Sequence, residues 1–155
     1  MRNPSIIADS SFYICFLDDI KKPEYLKHIL THFRFVIGKI VKKEIARSPM
    51  FKKIESIINT VVDNISADEN FGELLKPFFS VKEIEKGEDE VIAIAYVFNI
   101  LELYFYFILD DESARHFVEI NFSELKDRMY GTVGFIKLCC CKFSVFTKKM
   151  CIAIL

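Results

Sequence analysis

The stretch 87–115, GEDEVIAIAYVFNILELYFYFILDDESAR, decides the fold because a long apolar run lies between two acidic clusters. About twenty apolar residues can span a bilayer, and the run over 91–109 is long enough to raise that alternative. Its flanks are acidic rather than basic, and its composition changes partway from Ala, Ile and Val to aromatic residues. We therefore predict a buried helix over 91–101, a tight turn and a buried strand over 103–109 rather than a membrane span.

The composition predicts one globular domain over residues 1–155. A domain of this length hides about 70% of its unfolded surface, which is enough for a core. The formal net charge is −1, so any attraction to nucleic acid must be local. Six basic residues accompany one acid over 39–53, whereas nine acids accompany three lysines over 63–90. This asymmetry predicts a basic face beside an acidic pocket.

The five cysteines have no C-x-x-C spacing, and no secretory signal pattern opens the sequence. A reducing cytoplasm is therefore the expected location. Consecutive helical positions point in different directions, so the adjacent Cys139, Cys140 and Cys141 are predicted to be small core residues rather than metal ligands or a redox centre.

Apolar runs alternate with helical patterns outward from 87–115. This alternation predicts an α/β fold with a mostly parallel sheet covered by helices on both faces. The other predicted elements are a strand over 5–8, a helix over 23–31, a strand over 33–37, helices over 39–50 and 51–64, a short strand over 78–81, a helix over 113–119, a strand beginning at 120–122, and a turn over 131–134 that leads into a last helix.

Four acids are expected at the edge where the strands of such a sheet end. Asp9 and Asp111 follow predicted strands, whereas Glu44 and Glu90 lie near predicted helix starts. Three of the four positions also have a structural alternative. Asp9 can cap the helix that follows it, Glu44 can pair with a surface lysine, and Glu90 can interact with a helix dipole.

Convergence of these acids is unfavourable without a cation, since two carboxylates about 4 Å apart repel by roughly 4 kcal/mol at an effective dielectric of 20. Oxygen ligands without nearby His or Cys suit Mg²⁺ or Mn²⁺ rather than Zn²⁺. Such ions polarise phosphates and stabilise the attacking and leaving oxygens during phosphodiester hydrolysis. A site of this kind therefore predicts hydrolysis of a phosphodiester.

The motifs IIADSSF, IVKKEI, GEDEVIAIA, ILDDESAR and GTVG, in this order, resemble the PIN domain family. The likeness is greatest to its small prokaryotic members with a GE-x-E motif, and it covers roughly residues 5–138. The resemblance implies a Rossmann-like, three-layer α/β/α fold. It also implies cleavage of single-stranded or structured RNA with Mg²⁺ or Mn²⁺.

Carried over position by position, the resemblance makes four acids both metal ligands and catalytic residues. They are Asp9, Glu44, Glu90 and Asp111, with Asp110 as an alternate for the last. One feature departs from the family pattern, since Leu109 stands where many members have Thr or Ser two places before the fourth acid.

The resemblance also implies supporting residues around the acids. Ser11 matches the small hydroxyl residue that supports the first acid, and Glu88 and Arg115 belong to the subgroup motif. Arg115 is expected to pair with an acid or to meet the phosphate. The basic residues expected to bind RNA are Lys42, Lys43 and Arg47.

The expected function is therefore that of a metal-dependent endoribonuclease, and the resemblance implies a toxin neutralised by an antitoxin protein. The alternative is a catalytically degenerate PIN fold that acts as a binding or scaffold module, which dispersed acids would favour. The segment 139–155 is atypical and unusually apolar. We expect it to pack in a homodimer interface or against a partner.

Overall fold

The computed structural model describes residues 3–65 and 86–154 of the chain. These residues form a five-stranded sheet in which every strand is parallel to its neighbours. The strands are β1 (Ser5–Ala8), β2 (Arg34–Ile37), β3 (Asp63–Asn64), β4 (Phe105–Ile108) and β5 (Met129–Tyr130). Their spatial order is β3-β2-β1-β4-β5. Helices flank the sheet, so the predicted three-layer, Rossmann-like α/β/α architecture is confirmed.

The helices connect the strands and cover the sheet. A π-helical turn over Cys15–Asp19 extends the first helix, and 3₁₀ turns cover Phe51–Lys53 and Ser123–Arg128. The helices are α1 (Ser10–Ile14), α2 (Pro23–His32), α3 (Lys39–Ile45), α4 (Glu55–Thr60), α5 (Gly87–Ile100), α6 (Glu112–Asn121), α7 (Thr132–Cys141) and α8 (Lys148–Ile154).

The stretch 87–115 folds as a helix, a tight turn and a strand, as predicted. After α5, the Leu103 N–H donates to the Phe98 carbonyl at 3.0 Å, and the Glu102 N–H donates to the Asn99 carbonyl at 3.1 Å. Glu102 has a φ of 55°, so these bonds form a Schellman motif that directs the chain into β4. Within residues 3–65 and 86–154, no helix is long and apolar enough to cross a bilayer.

The core lies on both faces of the two central strands. Ile6, Ile7 and Ala8 of β1 and every residue of β4 are buried, as expected for parallel strands covered on both sides. Phe12 of α1 lies at the centre of an aromatic cluster. Its ring centroid is 5.4–5.8 Å from those of Phe16, Phe35, Phe135 and Tyr13.

Two helices are shorter than predicted. α3 ends at Ile45 rather than near residue 50, because a residue that precedes proline, here Ser48, is disfavoured in helical conformation. The predicted helix over 51–64 is interrupted, and α4 gives way to the edge strand β3. The Asn64 side-chain amide donates to the Ile58 carbonyl at 2.8 Å and so satisfies a carbonyl group near the end of α4.

The prediction of a strand beginning at 120–122 is wrong. α6 continues through Asn121, because Val118 and Phe122 are buried one helical turn apart while Ile120 is 66% exposed. The last strand is β5 instead. The segment 131–134 is helical from Thr132 rather than a turn, and the predicted strand over 78–81 lies outside the described residues.

The three adjacent cysteines do not share one environment. Cys139 is buried in the core, as predicted. The prediction is wrong for the other two, because Cys140 forms a disulfide with Cys151 of α8 and Cys141 is exposed. Neighbouring helical positions point in different directions, so α7 directs one cysteine to the core, one to α8 and one to solvent.

Candidate functional site

The site lies at the point where the strand order of the sheet reverses. β2 lies on one side of β1 and β4 lies on the other, so the crevice between the carboxyl ends of β1 and β4 is the switch point. Asp9 directly follows β1, and Asp110 follows β4 by two residues. Ligands of doubly wound folds bind in this crevice, so two acids lie where the fold favours a site.

A serine hydroxyl joins these two acids. The Ser11 hydroxyl is 2.5 Å from Asp9 Oδ1 and 2.9 Å from Asp110 Oδ2. The two carboxylate oxygens are therefore at most 5.4 Å apart, and at an effective dielectric of 20 two full charges at that distance repel by about 3 kcal/mol. One hydroxyl proton can serve only one carboxylate at a time, so a proton or a cation between the two acids would be stabilised by both.

Burial alters the chemistry of Asp9. Asp9 is 5% exposed, and burial raises its pKa from 3.8 to about 6, while the Ser11 hydrogen bond lowers it and the charge of Asp110 raises it. Asp9 precedes α1, but within the described residues its side chain makes no capping hydrogen bond. The Phe12 N–H in the first turn of α1 is nevertheless close enough to the Asp9 carboxylate to lower its pKa, so Asp9 keeps a weak capping contact beside its contact with Ser11.

Glu44 and Glu90 lie side by side and are packed against glycines. A Cβ atom at Gly38, which precedes α3, would collide with the Glu90 carboxylate, and one at Gly87, the first residue of α5, would collide with that of Glu44. Each helix start therefore leaves room for an acid of the other helix. The Ser10 hydroxyl donates to Glu44 Oε2 at 2.7 Å. Ser10 is the neighbour of Ser11 in the sequence, so two adjacent serines contact the two pairs of acids.

Glu90 caps α3. Its carboxylate accepts the Ile40 N–H at 3.0 Å and the Val41 N–H at 3.0 Å, and these groups open the helix. Burial raises the Glu90 pKa, the two N–H groups lower it, and the charge of Glu44 raises it again. The structural alternative predicted from sequence was that Glu90 interacts with the dipole of a helix at its start. Glu90 does interact with a helix start, but the helix is α3 and not α5, to which Glu90 belongs.

The structure distinguishes the two adjacent acids after β4. Asp110, the alternate, is the one that shares Ser11 with Asp9, and it also accepts the N–H of Thr132 at 2.7 Å and the hydroxyl of that residue. Asp111 is exposed and caps α6, because its Oδ1 accepts the Ala114 N–H at 2.8 Å. The backbone therefore directs Asp110 into the crevice and Asp111 toward the helix.

The residues assigned a supporting role from sequence lie in several environments. Ser11 has the predicted position beside Asp9. Arg115 Nη1 donates to the Leu109 carbonyl at 2.9 Å, so its hydrogen bond goes to the backbone rather than to an acid. Glu88 lies in the first turn of α5, beside Asp89, and burial followed by the charge of Glu88 raises the Asp89 pKa.

The three predicted RNA-binding residues lie on α3 or just beyond it. Lys42 Nζ donates to Asn64 Oδ1 at 2.9 Å, which ties this lysine to β3. Lys43 and Arg47 are exposed and remain candidates for phosphate contacts.

Three residues of the site were not predicted from sequence. Ser10 holds Glu44, and Thr132 holds Asp110. The Tyr13 hydroxyl is buried without a hydrogen-bond partner among the described residues, and burial followed by the charge of Asp9 raises its pKa. The adjacent hydroxyls of Ser10 and Ser11 were the sequence feature that could have predicted these contacts, since two neighbouring serines can each bind a different acid.

The described residues bring carboxylates together in pairs rather than in a larger cluster. Within 3–65 and 86–154, no group of three or more His, Cys, Asp or Glu side chains is arranged to hold a metal ion. No family model, curated protein or solved structure matches this chain. The chemistry of the site must therefore be argued from its own residues.

Proposed function

We propose that this protein is a metal-dependent endoribonuclease whose site is the crevice between β1 and β4. The observation that carries the proposal is the pair formed by Asp9 and Asp110 around the hydroxyl of Ser11. Among the described residues neither acid has an ion-pair partner, so a cation from solution would be attracted to both.

The donor set fits Mg²⁺ or Mn²⁺. Mg²⁺ keeps several waters and is usually held by one or two carboxylates together with substrate phosphates, so it does not require three acids. Asp9 and Asp110 would bind the ion directly, while Glu44, held by Ser10, would bind through water. When bound, such an ion polarises a phosphate and stabilises the charge that develops on the attacking and leaving oxygens.

The residues of the chain supply the remaining chemistry. A bound cation would stabilise the charged form of Asp9, so Asp9 would act as a ligand, and its pKa of about 6 describes the site without metal. Ser11 and Thr132 hold the two carboxylates in place by hydrogen bonds. The exposed Lys43 and Arg47 lie on either side of Glu44 in the sequence and would contact RNA phosphates.

Replacement of Asp9 by asparagine tests the proposal. Asp9→Asn keeps the shape of the side chain but removes a charged metal ligand, so we expect loss of Mn²⁺-dependent cleavage of a mixed RNA substrate. The matched control is Asp127→Asn, which removes an exposed carboxylate from the 3₁₀ turn before β5 and should leave cleavage unchanged. Full activity of Asp9→Asn, or equal loss in both variants, would contradict the assignment.

A second candidate is a binding module without catalysis, and one observation favours it. Glu90, Asp110 and Asp111 each accept a backbone N–H at the start of a helix, which is a structural role. Calorimetric titration with Mn²⁺ distinguishes the two candidates. The nuclease requires binding that Asp9→Asn abolishes, whereas the binding module requires no metal at these acids.

A further inference from the structure

Three tyrosines form a continuous column on one face of the sheet, beside β5. Tyr106 lies on β4 and Tyr130 lies on β5, and because Tyr130 is in register with Ile108 the two tyrosines point to the same face. The Tyr106 ring centroid is 5.8 Å from that of Tyr104 and 5.3 Å from that of Tyr130, in edge-to-face contacts. We refer to Tyr104, Tyr106 and Tyr130 as the tyrosine column.

The column is accessible because β5 is short. The two residues of β5 pair with Phe107 and Ile108, so the described part of β5 does not extend along the first half of β4. Tyr106 is 9% exposed, whereas Tyr104 and Tyr130 at either end are half-buried and present part of their rings to solvent. The two outer tyrosines therefore offer aromatic surface on which a ligand can stack.

Lys142 lies on the column, whereas Arg128 lies at the edge of β4 against Phe105, whose ring points to the opposite face of the sheet. Lys142 is exposed, its Nζ donates to the Tyr106 hydroxyl at 3.0 Å, and the same atom lies 5.5 Å from the centroid of that ring. Arg128 Nη1 donates to the Phe105 carbonyl at 3.3 Å, and its guanidinium lies 4.8 Å from the Phe105 ring centroid. Lys142 therefore gives the column positive charge, although the chain as a whole carries −1.

The column leads away from the candidate site. Tyr130 is level with Ile108, two residues before Asp110, so at about 3.3 Å per residue it lies roughly 7 Å along the strand from that acid. Tyr104 precedes Asp110 by six residues, or roughly 20 Å along the strand. Tyr130 is also two residues before Thr132, which binds Asp110. A strand with a phosphate at the acids would reach the column with its next nucleotides.

We propose that the tyrosine column, with Lys142, binds an unpaired RNA strand that extends from the site. Aromatic side chains stack on bases, and lysine or arginine neutralises phosphates, whereas a duplex hides its base faces from such contacts. The choice of RNA rests on the proposed function, but the binding itself requires no metal and no cleavage. It can therefore be measured independently of the nuclease activity.

Fluorescence anisotropy in EDTA provides the test, with a labelled RNA of about twelve nucleotides as the probe, either single-stranded or annealed to its complement. We expect the single strand to bind more tightly than the duplex. Tyr104→Leu should weaken single-strand binding by about tenfold, because it removes a stacking surface. Lys142→Met should reduce the slope of log affinity against log salt by about 0.7, the value for one phosphate contact on a single strand.

Matched variants separate this role from a general effect on folding. Tyr104→Phe keeps the ring and should retain binding. Tyr25→Leu removes a half-buried tyrosine on α2, and Lys149→Met removes an exposed lysine on α8, so neither should change binding. Circular dichroism would verify that each variant is folded.

Several results would overturn the inference. They are no binding of the single strand, equal binding of the duplex, unchanged binding in both Tyr104→Leu and Lys142→Met, or an equal loss in the Tyr25 and Lys149 controls. Binding that depends on the column in a protein that does not cleave RNA with Mn²⁺ would leave this inference standing and reject the nuclease. Cleavage without column-dependent binding would do the opposite.

Discussion

Asp9→Asn should remove a large part of the pH dependence of stability. The Asp9 pKa rises from 3.8 to about 6 on folding, so the folded state holds a proton that the unfolded state has released. The resulting cost is absent below pH 3.8, grows as the pH rises toward about 6 and is complete above that value. At 1.36 kcal/mol per unit, the shift corresponds to about 3 kcal/mol.

Urea unfolding in EDTA at about pH 4 and about pH 8 measures this cost. Wild type should lose about 2.4 kcal/mol more than Asp9→Asn between these two conditions, because a small part of the cost is already present at about pH 4. Asparagine does not titrate but its oxygen can still accept the Ser11 hydrogen bond. The raised pKa values of Asp89 and Glu90 act in the same direction in both proteins, so the difference isolates Asp9.

The effect of Mn²⁺ on stability tests whether the buried charge of Asp9 belongs to the proposed metal site. At about pH 8, millimolar Mn²⁺ should raise the melting temperature of wild type and leave that of Asp9→Asn unchanged, because an ion that binds the folded state stabilises it. Parallel pH profiles for the two proteins would refute the reasoning about Asp9 burial. Equal stabilisation of both proteins by Mn²⁺ would show that the metal binds elsewhere.

Three further changes test the packing around the site. Gly38→Ala should destabilise the protein by about 1–3 kcal/mol in urea unfolding, because its Cβ would displace the Glu90 carboxylate from the start of α3, whereas Gly134→Ala, whose Cβ would only make ordinary van der Waals contact with Tyr130, should cost less. Phe12→Ala should cost about 3–5 kcal/mol, measured in the same way, because it empties the centre of the aromatic cluster; a smaller loss than that of Phe117→Ala would contradict this role. Cys140→Ser removes the disulfide to α8 and should increase amide hydrogen exchange in that helix. Reduction of the wild-type protein with dithiothreitol should have the same effect. Exchange rates in wild type that dithiothreitol leaves unchanged would argue against the disulfide.

Local pattern was sufficient for the central part of the fold. β1, β2 and β4 were predicted because each is a buried apolar run bounded by polar or glycine residues. The edge strands β3 and β5 were not predicted, since two residues are too few to show the hydrophobic periodicity of a strand. They form because a neighbouring strand supplies hydrogen-bond partners, as β2 does for Asp63 and Asn64.

The candidate site was predicted in part. Sequence placed Asp9 after the first strand and Ser11 beside it, and the structure has both there. Sequence left the choice between Asp110 and Asp111 open, because adjacent residues have almost the same pattern around them. The contact that separates them joins Ser11 to Asp110 across 99 positions of the chain, a separation at which local pattern has no information.

The sequence of 87–115 by itself determined a helix, a turn and a strand, because hydrophobic period and composition report burial and local conformation. It also determined that acidic residues flank this helix–turn–strand segment at both ends. Tertiary structure alone decided which acid enters the crevice: Asp110 meets Asp9 through Ser11, Asp111 caps α6, and Glu90 caps α3. These pairings depend on how side chains are oriented across separate elements, and only the packed sheet and helices set that orientation.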